Sequence, residues 1–199
     1  MHISEGVLSA PVLIAGAALT VAGTAVGLRK IEYEKLPQVA VLASAFFIAS
    51  LVHVPVGPSA AHLVLNGLCS LLLGWPAFPA ILVGLSLEAI LFQFGGITTL
   101  GINTFNMAFP AIVIGFVCRR KINSPSYMTR ATAEFTAGAG SILVSAVLVG
   151  ISLAATGEAF KAVAWIIIAA HLPVMIVEGV VTVFIVEFIR RVRPEMVSA

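Results

Sequence analysis

Charge is what this sequence has least of. Of its 199 residues 10% are charged and 60% hydrophobic, and aspartate does not occur at all. A soluble domain carries about a quarter charged residues. With so few, the chain cannot cover a water-facing surface, and no soluble fold fits its composition. The missing aspartate excludes an aspartate-based proton relay. There is no G-x-x-x-x-G-K-[ST] loop, so the chain has no P-loop ATPase site of its own. Absence of H-E-x-x-H argues against a zinc intramembrane protease, and no serine-centred G-x-S-x-G is present. Cysteine is scarce: Cys69 and Cys118 both fall in apolar stretches and are expected to be free buried thiols, not a disulfide or a metal pair. Basic residues are missing from the start, Met1-His2-Ile3-Ser4-Glu5-Gly6. A cleavable signal opens on a basic region, so the mature chain is expected to begin at Met1.

What is present is apolar length. The mean hydropathy is +1.10, and a bilayer-spanning helix needs about 20 apolar residues. Polar punctuation divides the chain into seven apolar segments, near residues 7–28, 37–54, 60–74, 77–94, 102–118, 131–155 and 159–189. These are continuous runs without alternation, which speaks against a strand barrel. The expected fold is an all-α integral membrane protein, a bundle of seven transmembrane helices in one membrane domain over 1–199. Residues 1–6 form an external N-terminal segment and 7–192 the bundle. The third segment is short and is expected to be tilted or packed inside protein.

Basic residues set the orientation. Arg29, Lys30 and Lys35 follow segment one, Arg119, Arg120, Lys121 and Arg130 follow segment five, and Arg190, Arg191 and Arg193 follow segment seven. Loops rich in Lys and Arg stay cytoplasmic. With seven spans these places share one side, and only Lys161 falls on the other. The N-terminus is therefore expected outside and the C-terminus inside, in a multi-pass protein of the cell (inner) membrane. The lipid bilayer is its surroundings; no nucleic-acid partner and no resident cofactor are expected.

That topology puts all four histidines, His2, His53, His62 and His171, towards the outer face. His2 has the richest chemistry. In an X-His start, the α-amine of residue 1, the backbone nitrogen of residue 2 and the imidazole Nδ1 can chelate one ion through five- and six-membered rings. Planar nitrogen donors suit Ni(II) or Cu(II). Taken alone, such a start is more often a solvated terminus. A second histidine would complete the square. His62 is the best candidate, read as lying at the mouth of a helix with Asn66 one turn on and on the same face. His53 remains open for the same role. His171 and Glu178 lie two turns apart on the last segment, with Pro173 between them; a structural hydrogen bond is favoured for His171 over direct ligation. Glu88, Gln93 and Glu178 are expected to pair within the bundle. Asn103 and Asn106 are expected to hydrogen-bond a ligating imidazole or the N-terminal loop. Small residues crowd segment one: Ala18 and Ala22, then Gly23 and Gly27, stand four apart. That spacing lets helices approach closely, commonly inside one chain, alternatively against a partner membrane subunit.

The start Met1-His2-Ile3-x-Glu5-Gly6, the Pro55–Asn66 stretch with Gly57 and His62, the Gly95–Met107 stretch and the closing His171-Leu172-Pro173…Glu178-Gly179 together resemble a known family. They are similar to the cobalt/nickel substrate-binding S-components, CbiM/NikM type, of energy-coupling factor (ECF) ABC transporters. The resemblance covers nearly the whole chain, and the N-terminal motif is its most specific part. It implies an external N-terminus folded back into a helical bundle, with the metal held by nitrogens of Met1, His2 and His62. It also implies partners: a transmembrane coupling subunit, two cytoplasmic ATPase subunits and often a small accessory membrane protein. The expected function is capture of Ni(II) or Co(II) outside and movement inward, as a transport subunit and not an enzyme. Metal transport of this kind would serve cobalamin biosynthesis or nickel supply. The alternatives are a stand-alone transition-metal channel or secondary transporter, an S-component for an organic vitamin, and a membrane metallohydrolase. The first needs polar groups along the whole path, the second an aromatic-lined pocket, and the third lacks its motifs.

Overall fold

A computed structural model describes residues 1–51, 53–56 and 59–197, the side chains at 53–56 and 60 excepted. Seven helices are present among them: α1 (Ala10–Arg29), α2 (Leu36–Ser50), α3 (Asn66–Leu73), α4 (Ala77–Phe92), α5 (Leu100–Arg119), α6 (Tyr127–Thr156) and α7 (Lys161–Val192). In hydrocarbon every backbone N–H and C=O must be satisfied within the chain, which is why continuous apolar runs close into helices. Four of the helices are long and apolar enough to cross a membrane, α1, α5, α6 and α7, the last together with the turn before it; α4 is a shorter apolar helix. The surface is inverted relative to a soluble protein. Large apolar side chains stand outward, Ile14 at 69%, Trp165 at 73% and Phe184 at 73% exposure, while Glu88, Glu134 and Glu178 are wholly buried. Only a lipid surround makes that arrangement favourable.

The third apolar segment departs from a regular span. Its first part is not helical: β1 (His53–Val56) and β2 (Ser59–His62) form an antiparallel hairpin, with His53 opposite His62. The bundle is thus helical with a small β element, and the expectation of a purely α-helical chain is corrected there. Val54 and Val56 favour extended backbone, and Pro55 has no N–H to continue the helix. The helical remainder, α3, has 8 residues, about 12 Å of rise against a hydrocarbon core of about 30 Å. By itself it is too short to span, and every one of its residues is buried. It packs on α5 and α6 and touches α2, α4 and α7, as the inner element around which the longer helices stand.

Glycines set the closest approaches. A Cβ on Gly67 would run into the Ala137 carbonyl of α6, so α3 lies backbone-to-backbone on α6. In α1, Gly23 sits against the Phe78 ring and Gly27 against Pro79 and the Trp75 carbonyl. These two therefore pack α1 on α4 inside the chain, the commoner of the two uses expected for that spacing. Ala18 and Ala22 lie on the exposed side of α1. Thr20 donates to the Gly101 carbonyl at 2.6 Å and seats α1 on α5. At the opposite end from the histidines, Arg190 donates to the Ile122 carbonyl at 2.6 Å and to Glu134 at 3.1 Å, and Arg130 pairs with Glu187 at 2.9 Å. This ion network holds the α5–α6 loop to the ends of α6 and α7. Cys69 and Cys118 are free and buried.

Candidate metal site

The first residues of the chain are inside the protein. Met1 and Ile3 are fully buried and His2 nearly so. Three contacts seat them. Asn103, in the first turn of α5, accepts from the Ile3 N–H at 2.9 Å and returns its own amide to the Ile3 carbonyl at 3.1 Å. Ile3 forms a β-bridge with Ser59, so the N-terminal segment lies along the edge of the hairpin. Glu5 accepts from the Thr98 N–H at 3.0 Å, a bond that lowers its carboxyl from the ordinary range. The Gly95-Gly96 turn makes room for this. Both have positive φ, +77° and +131°, and a Cβ on Gly95 would crowd Asn103 and His2 while one on Gly96 would strike Glu5. Glycine tolerates both demands at once.

The seated N-terminus brings His2 onto His62. Their rings stack with centroids 4.5 Å apart and planes 15° from parallel. Phe94 lies on the other side of the pair, 6.2 Å from the His2 ring. His2 Nε2 is 3.3 Å from Glu88 Oε2, and Ser50 donates to the other oxygen of the same carboxylate. A carboxylate at Nε2 favours the tautomer with the proton there, leaving the Nδ1 lone pair, which is the nitrogen an X-His chelate uses. His62 is oriented the other way. Its Nδ1 is 2.9 Å from the Leu63 carbonyl. A carbonyl only accepts, so Nδ1 carries the proton and Nε2 keeps its lone pair. That Nε2 is buried and has no hydrogen-bond partner among the described residues. Metal-ligating histidines commonly anchor one nitrogen in this way to aim the other.

Glu178 holds the His62 loop in place. Its carboxylate accepts from the N–H groups of Val64 and Leu65, the latter at 2.9 Å. Leu65 is in the left-handed region at φ +58°, costly for a branched residue. The two amide bonds to a buried carboxylate keep the turn in that conformation. This places the break between β2 and α3 immediately after His62.

The remaining sequence candidates sort as follows. Asn66 was expected one helical turn beyond His62 on the same face. Because His62 ends a strand and α3 starts at Asn66, the two do not share a helix face. Asn66 instead donates to the Met107 carbonyl at 2.9 Å and to Ser145 at 3.2 Å, tying α3 to α5 and α6. Asn106 donates to Ser152 at 3.1 Å and joins α5 to α6. His171 Nδ1 donates to the Ile167 carbonyl at 2.7 Å, and the residue is buried close enough to act electrostatically on His62. The side chain of His53 lies outside the described residues; its backbone faces that of His62 across the hairpin. Ser50 and Phe94 were not singled out in the sequence, since a serine and a phenylalanine in apolar segments carry no distinguishing signal. Glu88 did carry one, as a lone carboxylate in an apolar helix.

No three His, Cys or Glu side chains gather as a metal cluster among the described residues. The α-amine of Met1 and the backbone nitrogen of His2 lie in the same buried segment as the His2 imidazole. Burial holds the N-terminal amine well below its ordinary pKa, against the opposing fields of Glu88 and Glu178. Burial, chiefly, holds His62 well below its ordinary value too. Both groups are thus held towards the neutral form, the form a metal ligand requires. The same shifts set a pH dependence for the metal-free protein. Unfolded, the amine and His62 titrate near 8.0 and 6.5; folded, they resist protonation. At these two groups the unfolded chain binds more protons below those values, so their contribution to stability is greatest above pH 8.0 and falls on acidification.

Comparison with known proteins places this architecture. The family model described as "Cobalt uptake substrate-specific transmembrane region", CbiM, matches residues 2–196. A protein of Haemophilus influenzae named as a metal transport protein is 40% identical over all of this chain and 97% of its own length. The cobalt transport protein CbiM of Kyrpidia tusciae is 30% identical over all of this chain and 86% of its own. The crystal structure of a truncated transition metal transporter superposes with a TM-score of 0.80 at 26% identity, covering 96% of this chain and 99% of that one. The seated N-terminus, the buried histidine pair and the inverted bundle accordingly stand in a chain that belongs to the CbiM family of cobalt-uptake transmembrane proteins, a multi-pass membrane component of cobalt/nickel transport.

Proposed function

We propose that this chain is the substrate-specific subunit of an energy-coupling factor transporter, which captures Ni(II) or Co(II) outside the cell and delivers it inward. The ion is held by the α-amine of Met1, the backbone nitrogen and Nδ1 of His2, and Nε2 of His62. The observation that carries the reading is the buried His2–His62 stack with an unpartnered Nε2 on His62. Four nitrogens in short chelate rings favour a near-planar ion such as Ni(II), leave Co(II) as a substrate, and disfavour Zn(II), which prefers tetrahedral sites. Cargo is the only metal in this scheme; no resident cofactor is invoked.

The N-terminus, the hairpin and His171 face outward, and the basic ends of α1, α5 and α7 face the cytoplasm, as the distribution of Lys and Arg directs. ATP hydrolysis belongs to two cytoplasmic partner subunits, with a transmembrane coupling subunit between. An autonomous channel or secondary transporter fits less well. Such a protein needs an open polar path across the bilayer, whereas α3 sets the buried apolar side chains Leu68, Leu71 and Leu72 into the interior after the His62 turn. Reorientation of the whole subunit by its partners needs no such path.

The test compares two tagged proteins by nickel titration in detergent. With a tag at the C-terminus the protein should bind one Ni(II) per chain and yield a yellow, diamagnetic species. With an uncleaved extension before Met1 the amine is gone and binding should be lost. Unchanged binding by the extended protein, or displacement of Ni(II) by equimolar Zn(II), would remove the four-nitrogen site.

A further inference from the structure

A cavity at the far end of the bundle has chemistry opposite to that of the histidine site. It holds about 640 Å³ between the ends of α1, α3 and α5 and the start of α2. Four cationic side chains line it, Arg29, Lys30, Lys35 and Arg119, with one carboxylate, Glu32. That carboxylate is already paired with Lys35 at 2.9 Å. Arg119 lies against Gly74, where a Cβ would come within 2.5 Å of Nη1 and push the guanidinium away. Lys30 stands over the Trp75 ring, 5.9 Å from its centroid. The rest of the wall is apolar: Val39, Leu72, Leu73, Ile112 and Phe116, the last exposed at 65% on the outer side of α5.

A dication would be repelled from this cavity, so it is not a stage on the metal's route. An inorganic anion would use the cations and leave the apolar wall unused. We propose that the cavity binds one anionic glycerophospholipid. Arg29, Lys30 and Arg119 take the phosphodiester, and an acyl chain runs along Ile112 and Phe116 into the bilayer. Guanidinium groups match phosphate oxygens bidentately, and lysine adds a point charge. Basic pockets between membrane helices are the expected place for anionic headgroups, with tryptophan at the interface. Trp75, partly exposed between Gly74 and Pro76, sits at that level and is a natural reporter.

The test uses the full chain in phosphatidylcholine nanodiscs with a minor fraction of phosphatidylglycerol. The chain has two tryptophans, so Trp165→Phe leaves Trp75 alone. Phosphatidylglycerol brominated near the headgroup should quench Trp75 more than equally brominated phosphatidylcholine at the same mole fraction; equal quenching overturns the proposal. In native mass spectrometry one phosphatidylglycerol should stay bound per chain after phosphatidylcholine is stripped. Replacing Arg29, Lys30 and Arg119 by Gln should weaken that retention by roughly fivefold per cation removed, whereas Arg191→Gln with Arg193→Gln, at the same end outside the cavity, should not. Equal retention by both variants overturns the proposal. Displacement by excess inorganic phosphate would mean a simple anion site, and tighter binding of an oligoglutamate peptide than of the lipid would mean a protein-docking surface; either result also overturns it. The quenching experiment needs no variant within the cavity, so a misfolded triple variant leaves the test intact.

Discussion

Replacing His62 with alanine is expected to remove nearly all metal binding while leaving the fold intact, and replacing His2 should do the same. Each contributes a nitrogen directly to the ion in the proposed site. If a four-donor site of ~10–16 kcal/mol is shared about equally, each donor is worth roughly 2.5–4 kcal/mol, or about a 60- to 700-fold loss of affinity. The two losses have different causes. His2→Ala removes the imidazole end of the chelate and leaves Glu88 facing an apolar methyl group. His62→Ala removes the donor that closes the plane, together with half of the stacked ring pair. His171→Ala should weaken binding by only about tenfold, because its Nδ1 bonds the Ile167 carbonyl and its ring acts on His62 from a distance. Nickel titration of the three variants, each checked for an unchanged helical circular dichroism spectrum, separates these cases. Equal losses at His62 and His171 would show that the ligand assignment is wrong, and full binding by His62→Ala would make His53 the better ligand.

The next largest effect is expected at a residue that touches no metal in this scheme. Glu178→Leu should both destabilise the protein and lower nickel affinity. The carboxylate is the acceptor for the buried N–H groups of Val64 and Leu65, and leucine accepts nothing. Two orphaned buried donors cost roughly 1–3 kcal/mol each. The left-handed turn at Leu65 then loses the bonds that hold it, and His62, three residues upstream, is no longer aimed. Glu178→Gln retains an oxygen acceptor and should recover most of the thermal midpoint. If Glu178→Leu binds nickel as tightly as the unsubstituted protein, the turn at Leu65 is maintained by packing alone and Glu178 has no part in presenting His62.

Parts of this site were legible before the structure, for identifiable reasons. His2 stood out because a histidine in second position has a chelate geometry that depends only on covalent bonds. Glu88 and Glu178 stood out because a carboxylate in an apolar run needs a partner. His171 was readable as a structural hydrogen-bonder, and its Nδ1 does bond the Ile167 carbonyl. Asn66 misled, because its spacing from His62 was read with a helical period across a segment that begins as a strand. The small residues of α1 were ambiguous for a related reason. Gly23 and Gly27 face α4 while Ala18 and Ala22 face outward, and four-residue spacing by itself says nothing about which side a neighbour occupies.

Composition alone determined that this chain lives in a membrane, since 10% charged residues cannot solvate a surface and every apolar run must satisfy its own backbone. It also determined the broad helical order, because hydrophobic length is a local property that survives any packing. Only the tertiary structure decided that the third segment divides into a hairpin and an 8-residue buried helix, and that the N-terminus enters the protein to lie on that hairpin. It also decided that Glu88 meets His2 while Glu178 meets the turn after His62. Those outcomes depend on contacts between residues up to 114 positions apart. No local period encodes them, because each is set by which buried polar groups remain unsatisfied once the helices have packed.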